Sequence, residues 1–330
     1  MSNTPGADIN EIWCGYALNG YVWDGGMSGA KDTYDLRRST VNIDEIRWRK
    51  GQAEVMANEI RNFARTNGYT FPIVNVHWTA RSDFSFTNLD SRWEEKSKDH
   101  PADLLIEFSD SVYSGGPSGN FLGVSLKSLK ANTGKAPVKN PGAGKIADFI
   151  NKPGVFDGIL NKYLEEVKNK GLFVVKQKYL DDNNVKKYWK PKDQKAKNTE
   201  HYKILDENKN KCLAECCDKL IKGFESLDEG EVRLYILSDL LDTDKLPQYI
   251  KVTGYGKQKY RASYDIPTGQ NNKTFKALMN MRKTMSYKKT SDGDSFSFIV
   301  KVGQQKIIRV RWKFAERPFS SGLKMSIELD

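Results

Sequence analysis

At 330 residues, with 38% hydrophobic and 11% aromatic side chains, the chain can fill one large or two ordinary domains, and wholesale disorder is excluded. No apolar run approaches membrane-spanning length, and Met1-Ser2-Asn3-Thr4-Pro5 lacks the basic-then-apolar pattern of a signal peptide. The net charge of +11 is segregated: residues 251–330 carry 17 basic and 6 acidic side chains, whereas residues 1–250 balance at 36 of each.

Asp8 or Asn10 can cap a first helix over Glu11–Leu18, closed by Asn19-Gly20. A polar stretch with Gly25-Gly26 leads to a second helix that starts near Asn42 or Asp44. Its apolar residues Ile43, Ile46, Ala53, Met56, Ala57, Ile60, Phe63 and Ala64 recur at helical spacing, and Asn67-Gly68 ends it. Phe71–Trp78 reads as a strand. Pro101-Ala102-Asp103 opens another, Leu104–Phe108, and the turn Ser114–Gly119 leads to its hairpin partner Phe121–Lys127. Lys145–Ile150 and Gly154–Asn169 carry helical patterns, and Gly171–Lys176 reads as a strand. The lysine-rich stretch 176–210, with Tyr179, Tyr188, Trp189 and Tyr202, reads as an inserted arm or exposed loop. Cys212–Phe224 is helical, and Cys212, Cys216 and Cys217 on it read as ordinary thiols, since none shows Cys-x-x-Cys spacing. Val232–Leu237 reads as a strand, and the last 80 residues as β-rich, with strands over Phe296–Val302, Lys306–Phe314 and Leu323–Leu329.

The chemistry concentrates at two strands. An aspartate where one begins (Asp103) and a lysine where its hairpin partner ends (Lys127) can meet over one point. Such a pair can hold a divalent metal beside a cation able to orient or help deprotonate water. Glu107 lies four residues beyond Asp103, about 13 Å along the strand, and is structural. His77, His100 and His201 are too scattered for zinc, and Gly142-Ala143-Gly144-Lys145 lacks the full phosphate-loop pattern.

Pro101, Asp103, Ser125 and Lys127 resemble the signature of the PD-(D/E)XK nuclease superfamily, and Lys139-Asn140-Pro141-Gly142-Ala143-Gly144 is similar to the segment trailing the lysine in some restriction-type members. The matched region covers roughly a third of the chain. The resemblance implies an α/β fold with a mixed-sheet nuclease core, Mg²⁺ as cofactor, double-stranded DNA as substrate, a homodimer, and hydrolysis to 5′-phosphate and 3′-hydroxyl ends. Asp103 is then the central metal ligand, with the Val124 or Ser125 carbonyl beside it, and Lys127 the water-orienting cation. The departure is Ser125, which stands where the family has Glu or Asp. The second carboxylate must therefore come from a helix: Glu11 is the first candidate and Glu54 and Glu59 are rivals.

Residues 1–180 are expected to hold the nuclease core, 181–250 an insertion with a helix and strand that complete it, and 251–330 a basic β-rich DNA-binding region. In Lys306–Phe314 alternation puts Arg309, Arg311 and Lys313 on one strand face, and Arg317 and Lys324 follow. With Asn140 and Lys145 these are the expected DNA contacts. A type II restriction endonuclease in the cytoplasm, where thiols stay reduced, is the leading expectation. A structure-selective or repair nuclease, an RNA nuclease and a non-catalytic DNA-binding protein with a decayed site are the alternatives.

Overall fold

A computed structural model describes residues 5–112, 114–134, 136–137, 139–171, 200–266, 273–292, 295–314 and 323–329. The chain forms two compact units. The first combines Met1–Ala136 with Leu237–Phe275, and the second Pro137–Ile236 with Lys276–Asp330. Both are assembled from non-contiguous stretches, whereas the sequence reading cut the chain into consecutive ones.

The first unit is α/β. Helix α1 (Pro5–Leu18) begins earlier than its expected caps, because proline at the first turn loses no hydrogen bond that a helix start would make. Asp8 and Asn10 accordingly lie inside it. Asp8 Oδ2 is 2.7 Å from Arg37 Nε on α2 (Ala30–Thr40), and Asn10 Nδ2 donates to the Arg49 carbonyl at 2.9 Å. Helix α2 was not foreseen in the polar stretch. Helix α3 (Ile43–Thr66) follows the expected pattern. Asn42 caps it by accepting from the Asp44 N–H, Asp44 and Glu45 favour its first turn, and it buries Ile46, Ala53, Met56, Ala57, Ile60, Phe63 and Ala64, whereas Ile43 of the expected stripe, at the helix's first position, is exposed.

Five strands form a mixed sheet in the order β1 (Tyr69–Trp78), β2 (Leu104–Ser111), β3 (Phe121–Leu129), β4 (Tyr249–Tyr255) and β5 (Arg261–Asp265). The first three make an antiparallel meander, β4 runs parallel to β3, and β5 returns antiparallel to β4. Val76, Trp78, Leu104, Ile106, Leu122, Val124, Leu126, Ile250 and Val252 bury one sheet face in a core shared with α1 and α3. The strand beside β3 is thus Tyr249–Tyr255, where the sequence suggests Gly171–Lys176. Of the latter, all but Gly171 lie outside the described residues, as does most of the lysine-rich stretch.

Gln52, fully buried on α3, ties the ends of β3 and β4 together. Its Nε2 donates to the Leu129 and Gly256 carbonyls at 2.9 and 2.5 Å, and its Oε1 accepts from the Ser128 hydroxyl at 2.5 Å. Gln52→Leu removes the side-chain partner of the buried Gly256 carbonyl and of the half-buried Ser128 hydroxyl, while the Leu129 carbonyl keeps the Gly256 N–H. A loss of about 1–3 kcal/mol is expected by chemical denaturation, roughly the cost of one orphaned buried group, with the half-buried Ser128 hydroxyl adding little. A change below about 1 kcal/mol would show that the clamp is solvated.

In the second unit β6 (Met285–Asp292), β7 (Ser295–Val302), β8 (Gln305–Phe314) and β9 (Leu323–Leu329) form an antiparallel sheet in chain order, beside α4 (Ala143–Phe149), α5 (Val155–Asn169), α6 (Glu200–Glu225) and α7 (Glu229–Tyr235). Phe298 and Trp312 on the sheet meet Phe224 of α6 and Phe156 of α5, with ring centroids 6.0 and 4.7 Å apart. The expected strand Val232–Leu237 is instead α7, running on into a π-helical turn over Ile236–Leu240. Asp228 decides this by accepting from the N–H groups of Gly230 and Glu231, and Arg233 pairs with Glu229 one turn away. The three α6 cysteines are buried free thiols whose affinity for protons is raised in Cys216 and Cys217, in the first chiefly by its Cys212 neighbour and in the second by burial. Such thiols are inert. Among the described residues no helix is long and apolar enough to cross a membrane.

Candidate active site

Asp103 sits immediately before β2 in a backbone fixed on every side. Its N–H donates to the Val124 carbonyl at 2.8 Å, and its own carbonyl accepts from the Thr79 N–H at 3.1 Å. The preceding Ala102 carbonyl takes the Thr79 hydroxyl at 2.6 Å. His100 anchors the same turn. Its Nδ1 accepts from the Ala102 N–H at 3.1 Å, which leaves Nε2–H to donate to the Pro247 carbonyl at 2.8 Å. Burial brings the His100 pKa down to about 4, so the ring is neutral and can hold both bonds. Sequence reading considered His100 only as a zinc ligand and missed this positioning role.

The Asp103 carboxylate points at the end of β3. Oδ2 accepts from the Leu126 N–H at 2.6 Å, lies 3.5 Å from the Ser125 hydroxyl, and is 3.9 Å from Lys127 Nζ. Ser125 is buried, and it meets Asp103 as a hydrogen-bond donor where a carboxylate would have repelled it. The Val124 carbonyl, already taken by Asp103 N–H, keeps one lone pair for a further partner. Lys127 is about a third exposed at 31%, so solvent reaches the cluster from the lysine side.

Glu11 enters from α1. Its Oε2 accepts from Trp78 Nε1 at 3.4 Å, and it is half-buried. Its affinity for protons is raised well above the usual carboxylate range, first by burial and next by the Asp103 charge, while Trp78 and Lys127 pull the other way. Asp103 is raised as well, by burial, against the pull of Lys127 and the hydrogen bonds from Leu126 and Ser125. Two carboxylates therefore feel one another beside a single lysine. The rivals stand differently: Glu54 accepts from Trp13 Nε1 at 2.7 Å and from the Tyr21 hydroxyl at 2.5 Å, and Glu59 lies five residues further along α3. Glu107 is half-buried on β2, away from this cluster's contacts.

Two carboxylates, a serine hydroxyl and a backbone carbonyl form an all-oxygen donor set of the kind Mg²⁺ accepts with water completing its shell. Burial raises the proton affinity of both carboxyls, and in Glu11 the Asp103 charge adds to it. Among the described residues no group of three or more His, Cys, Asp or Glu side chains gathers as a metal site, so the fit rests on a two-carboxylate arrangement.

Lys251 on β4 stands opposite Ser125 in the parallel register. It is buried, with Nζ 3.1 Å from Asp265 Oδ2 and 3.2 Å from the Ala136 carbonyl. It is a second lysine one strand away from the serine, and its neutralised pairing gives it a structural part.

The expected DNA contacts lie in the second unit. Asn140 and Lys145 are exposed, the latter in the first turn of α4. Arg309, Arg311 and Lys313 do alternate with buried Ile308, Val310, Trp312 and Phe314 on β8. Arg311 is partly neutralised by Glu328 Oε2 at 3.3 Å, and Lys313 stands directly opposite Lys324 in the β8–β9 register, two like charges side by side. Arg317 lies outside the described residues. No protein-family model matches the sequence, and a search of curated proteins returns no match.

Proposed function

We propose that the chain is a Mg²⁺-dependent endodeoxyribonuclease acting on double-stranded DNA, of the type II restriction class and working as a homodimer. The observation that carries this reading is the Asp103–Lys127 pair, 3.9 Å apart and partly open to solvent, with Glu11 on α1 near enough to feel both charges. The order of α3, a three-stranded meander and, after a long crossover, a strand parallel to β3 supports the resemblance to the PD-(D/E)XK core. Four buried free thiols suit a reducing cytoplasm.

A phosphodiester resists attack through its negative charge, and bound Mg²⁺ supplies a Lewis acid and a water of lowered pKa. Glu11 and Asp103 would hold it. Lys127, as a cation, orients the attacking water and stabilises charge as it builds on the phosphoryl oxygens. Ser125 and the Leu126 N–H keep the Asp103 carboxylate aimed, and His100 with Thr79 holds its backbone. Water adds to phosphorus, the P–O3′ bond breaks and the leaving oxygen takes a proton. The test is incubation of the purified protein with unmethylated phage DNA, with Mg²⁺ and with EDTA. Discrete fragments only with Mg²⁺ support the restriction-type reading, and a smear supports a repair or nonspecific nuclease. DNA that is bound but uncut supports the non-catalytic alternative, which the hydroxyl at Ser125 favours.

Arg309→Ala combined with Arg311→Ala is expected to weaken duplex binding and lower its salt slope by up to about 1.8, because each phosphate contact contributes roughly 0.9. The Arg311–Glu328 pair makes the smaller end of that range the expected one. An unchanged slope would take this strand out of the interface.

A further inference from the structure

We infer that the hairpin joining β4 to β5 grips the nucleic-acid backbone beside the Asp103–Lys127 cluster, an inference that rests on the reading of the first unit as a nuclease. Because β4 is parallel to β3, the two strands end on the same side of the sheet, and Lys127 stands in register with Thr253. Asp103 lies at that side too, since its N–H meets the Val124 carbonyl. Tyr255, the last residue of β4, is two positions past Thr253, about 7 Å further on. The hairpin tip therefore projects past the end of the sheet at which the candidate site lies.

That tip reads Tyr255-Gly256-Lys257-Gln258-Lys259-Tyr260-Arg261, and Lys257, Lys259 and Arg261 are all exposed. Lys130, just past the end of β3, is exposed as well. Among the described residues none of these four cations is held in an ion pair, in contrast to Lys251 earlier on β4. All four lie at or just past the ends of β3 and β4, and among the described residues no acid is paired with them.

The hairpin is also held rigidly, as a surface pre-organised for a ligand has to be. The Gly256 N–H donates to the Leu129 and Ala131 carbonyls at 3.1 Å each, and the Gly256 carbonyl accepts from buried Gln52. Gly256 has φ +85°, and a Cβ there would collide with the Lys259 carbonyl, so the tight turn requires glycine. Arg261 lays its guanidinium 5.2 Å from the centre of the Tyr255 ring, which keeps the cation over the tip.

Lysines on an edge strand can simply discourage sheet-to-sheet aggregation. Along β5 itself, however, the exposed residues after Arg261 are Ser263, Tyr264 and Asp265, and the lysines crowd the tip instead. Duplex DNA presents a phosphate about every 3.4 Å of axis on each strand. A tip beginning about 7 Å beyond the level of Lys127 thus meets the backbone within a few nucleotides of a phosphate held at Asp103.

The test measures affinity for a short duplex by fluorescence anisotropy, in EDTA and over a range of salt. The proteins compared are the full-length wild type, Lys257→Ala/Lys259→Ala/Arg261→Ala, and the charge-keeping Lys257→Arg/Lys259→Arg/Arg261→Lys. The alanine variant is expected to lose about 2.7 from the salt slope, so that between roughly 50 and 200 mM salt the wild type sheds about 40-fold more affinity than the variant does. The charge-keeping variant should hold the wild-type slope, and single Lys257→Ala and Lys259→Ala variants should each lose about 0.9. A wild type that binds and cuts DNA beside an alanine variant of unchanged slope overturns the hairpin assignment and leaves the nuclease reading standing. A wild type that binds no DNA overturns both. Loss of binding to phosphatidylserine vesicles with DNA affinity untouched would assign the tip to membranes and likewise overturn the proposal.

Discussion

Lys127→Ala is expected to abolish cleavage while duplex binding survives. Nζ lies 3.9 Å from Asp103 Oδ2, and the side chain is neither buried as a core residue nor free as a surface one. A purely structural ion pair of such partial exposure contributes on the order of 1 kcal/mol or less, and losing it would leave activity intact. A cation that orients water and meets charge building on the phosphoryl group contributes to the barrier itself. A loss of at least about 10²–10⁴ in single-turnover cleavage rate is expected, measured with Mg²⁺ in excess and enzyme above substrate. The affinity in EDTA, read by anisotropy, separates the outcomes. Unchanged affinity with lost cleavage places Lys127 in the chemistry. Wild-type cleavage removes it, and with it the reading of this cluster as an active site.

The local parts of this arrangement are legible in the sequence because they depend on period and turn chemistry. Helix α3 shows its buried face through Ile46, Ala53, Met56, Ile60 and Phe63, and the β2–β3 hairpin is bracketed by its Gly/Ser/Pro turn. The non-local parts are not. Strand β4 pairs with β3 across more than a hundred residues, and Lys251 interrupts the apolar run from Tyr249 to Val252 that would have announced a buried strand. Lys251 is tolerated there only because Asp265 and the Ala136 carbonyl satisfy it, and neither partner is visible from local pattern. In Val232–Leu237 the side chains alternate in no decisive way, and the helix is settled upstream by the Asp228 cap. At the site, Asp103 and Lys127 share a hairpin and could be paired on paper. Glu11 entered through the family resemblance, and only the packing of α1 against Trp78 brings its carboxylate within reach of the Asp103 charge. The His100 link to Pro247 spans 147 positions, which no spacing rule could reveal.

Glu11→Gln provides the sharpest division between a structural and a functional carboxylate, because the two readings predict opposite effects on stability. Glu11 is raised well above the ordinary carboxylate range by burial and then by Asp103, so in its ionised form it destabilises the fold near neutral pH. An acid whose affinity for protons is higher in the folded state favours folding at low pH. That benefit is lost as pH climbs from about 4.3, where the unfolded chain titrates, through the raised value in the fold. The amide keeps the shape and the bond from Trp78 but removes the charge. In metal-free buffer the variant should therefore be at least as stable as the wild type at neutral pH, with a flatter fall in stability from acid to neutral. With Mg²⁺ the order should reverse. A cation bound by the wild type at ten times its dissociation constant adds about 1.4 kcal/mol, whereas a variant lacking one of two carboxylates should gain little. Cleavage should be lost, with duplex affinity in EDTA unchanged. A variant less stable without metal, fully active, and stabilised by Mg²⁺ as much as the wild type would make Glu11 a packing residue and leave Asp103 without a helix-borne partner.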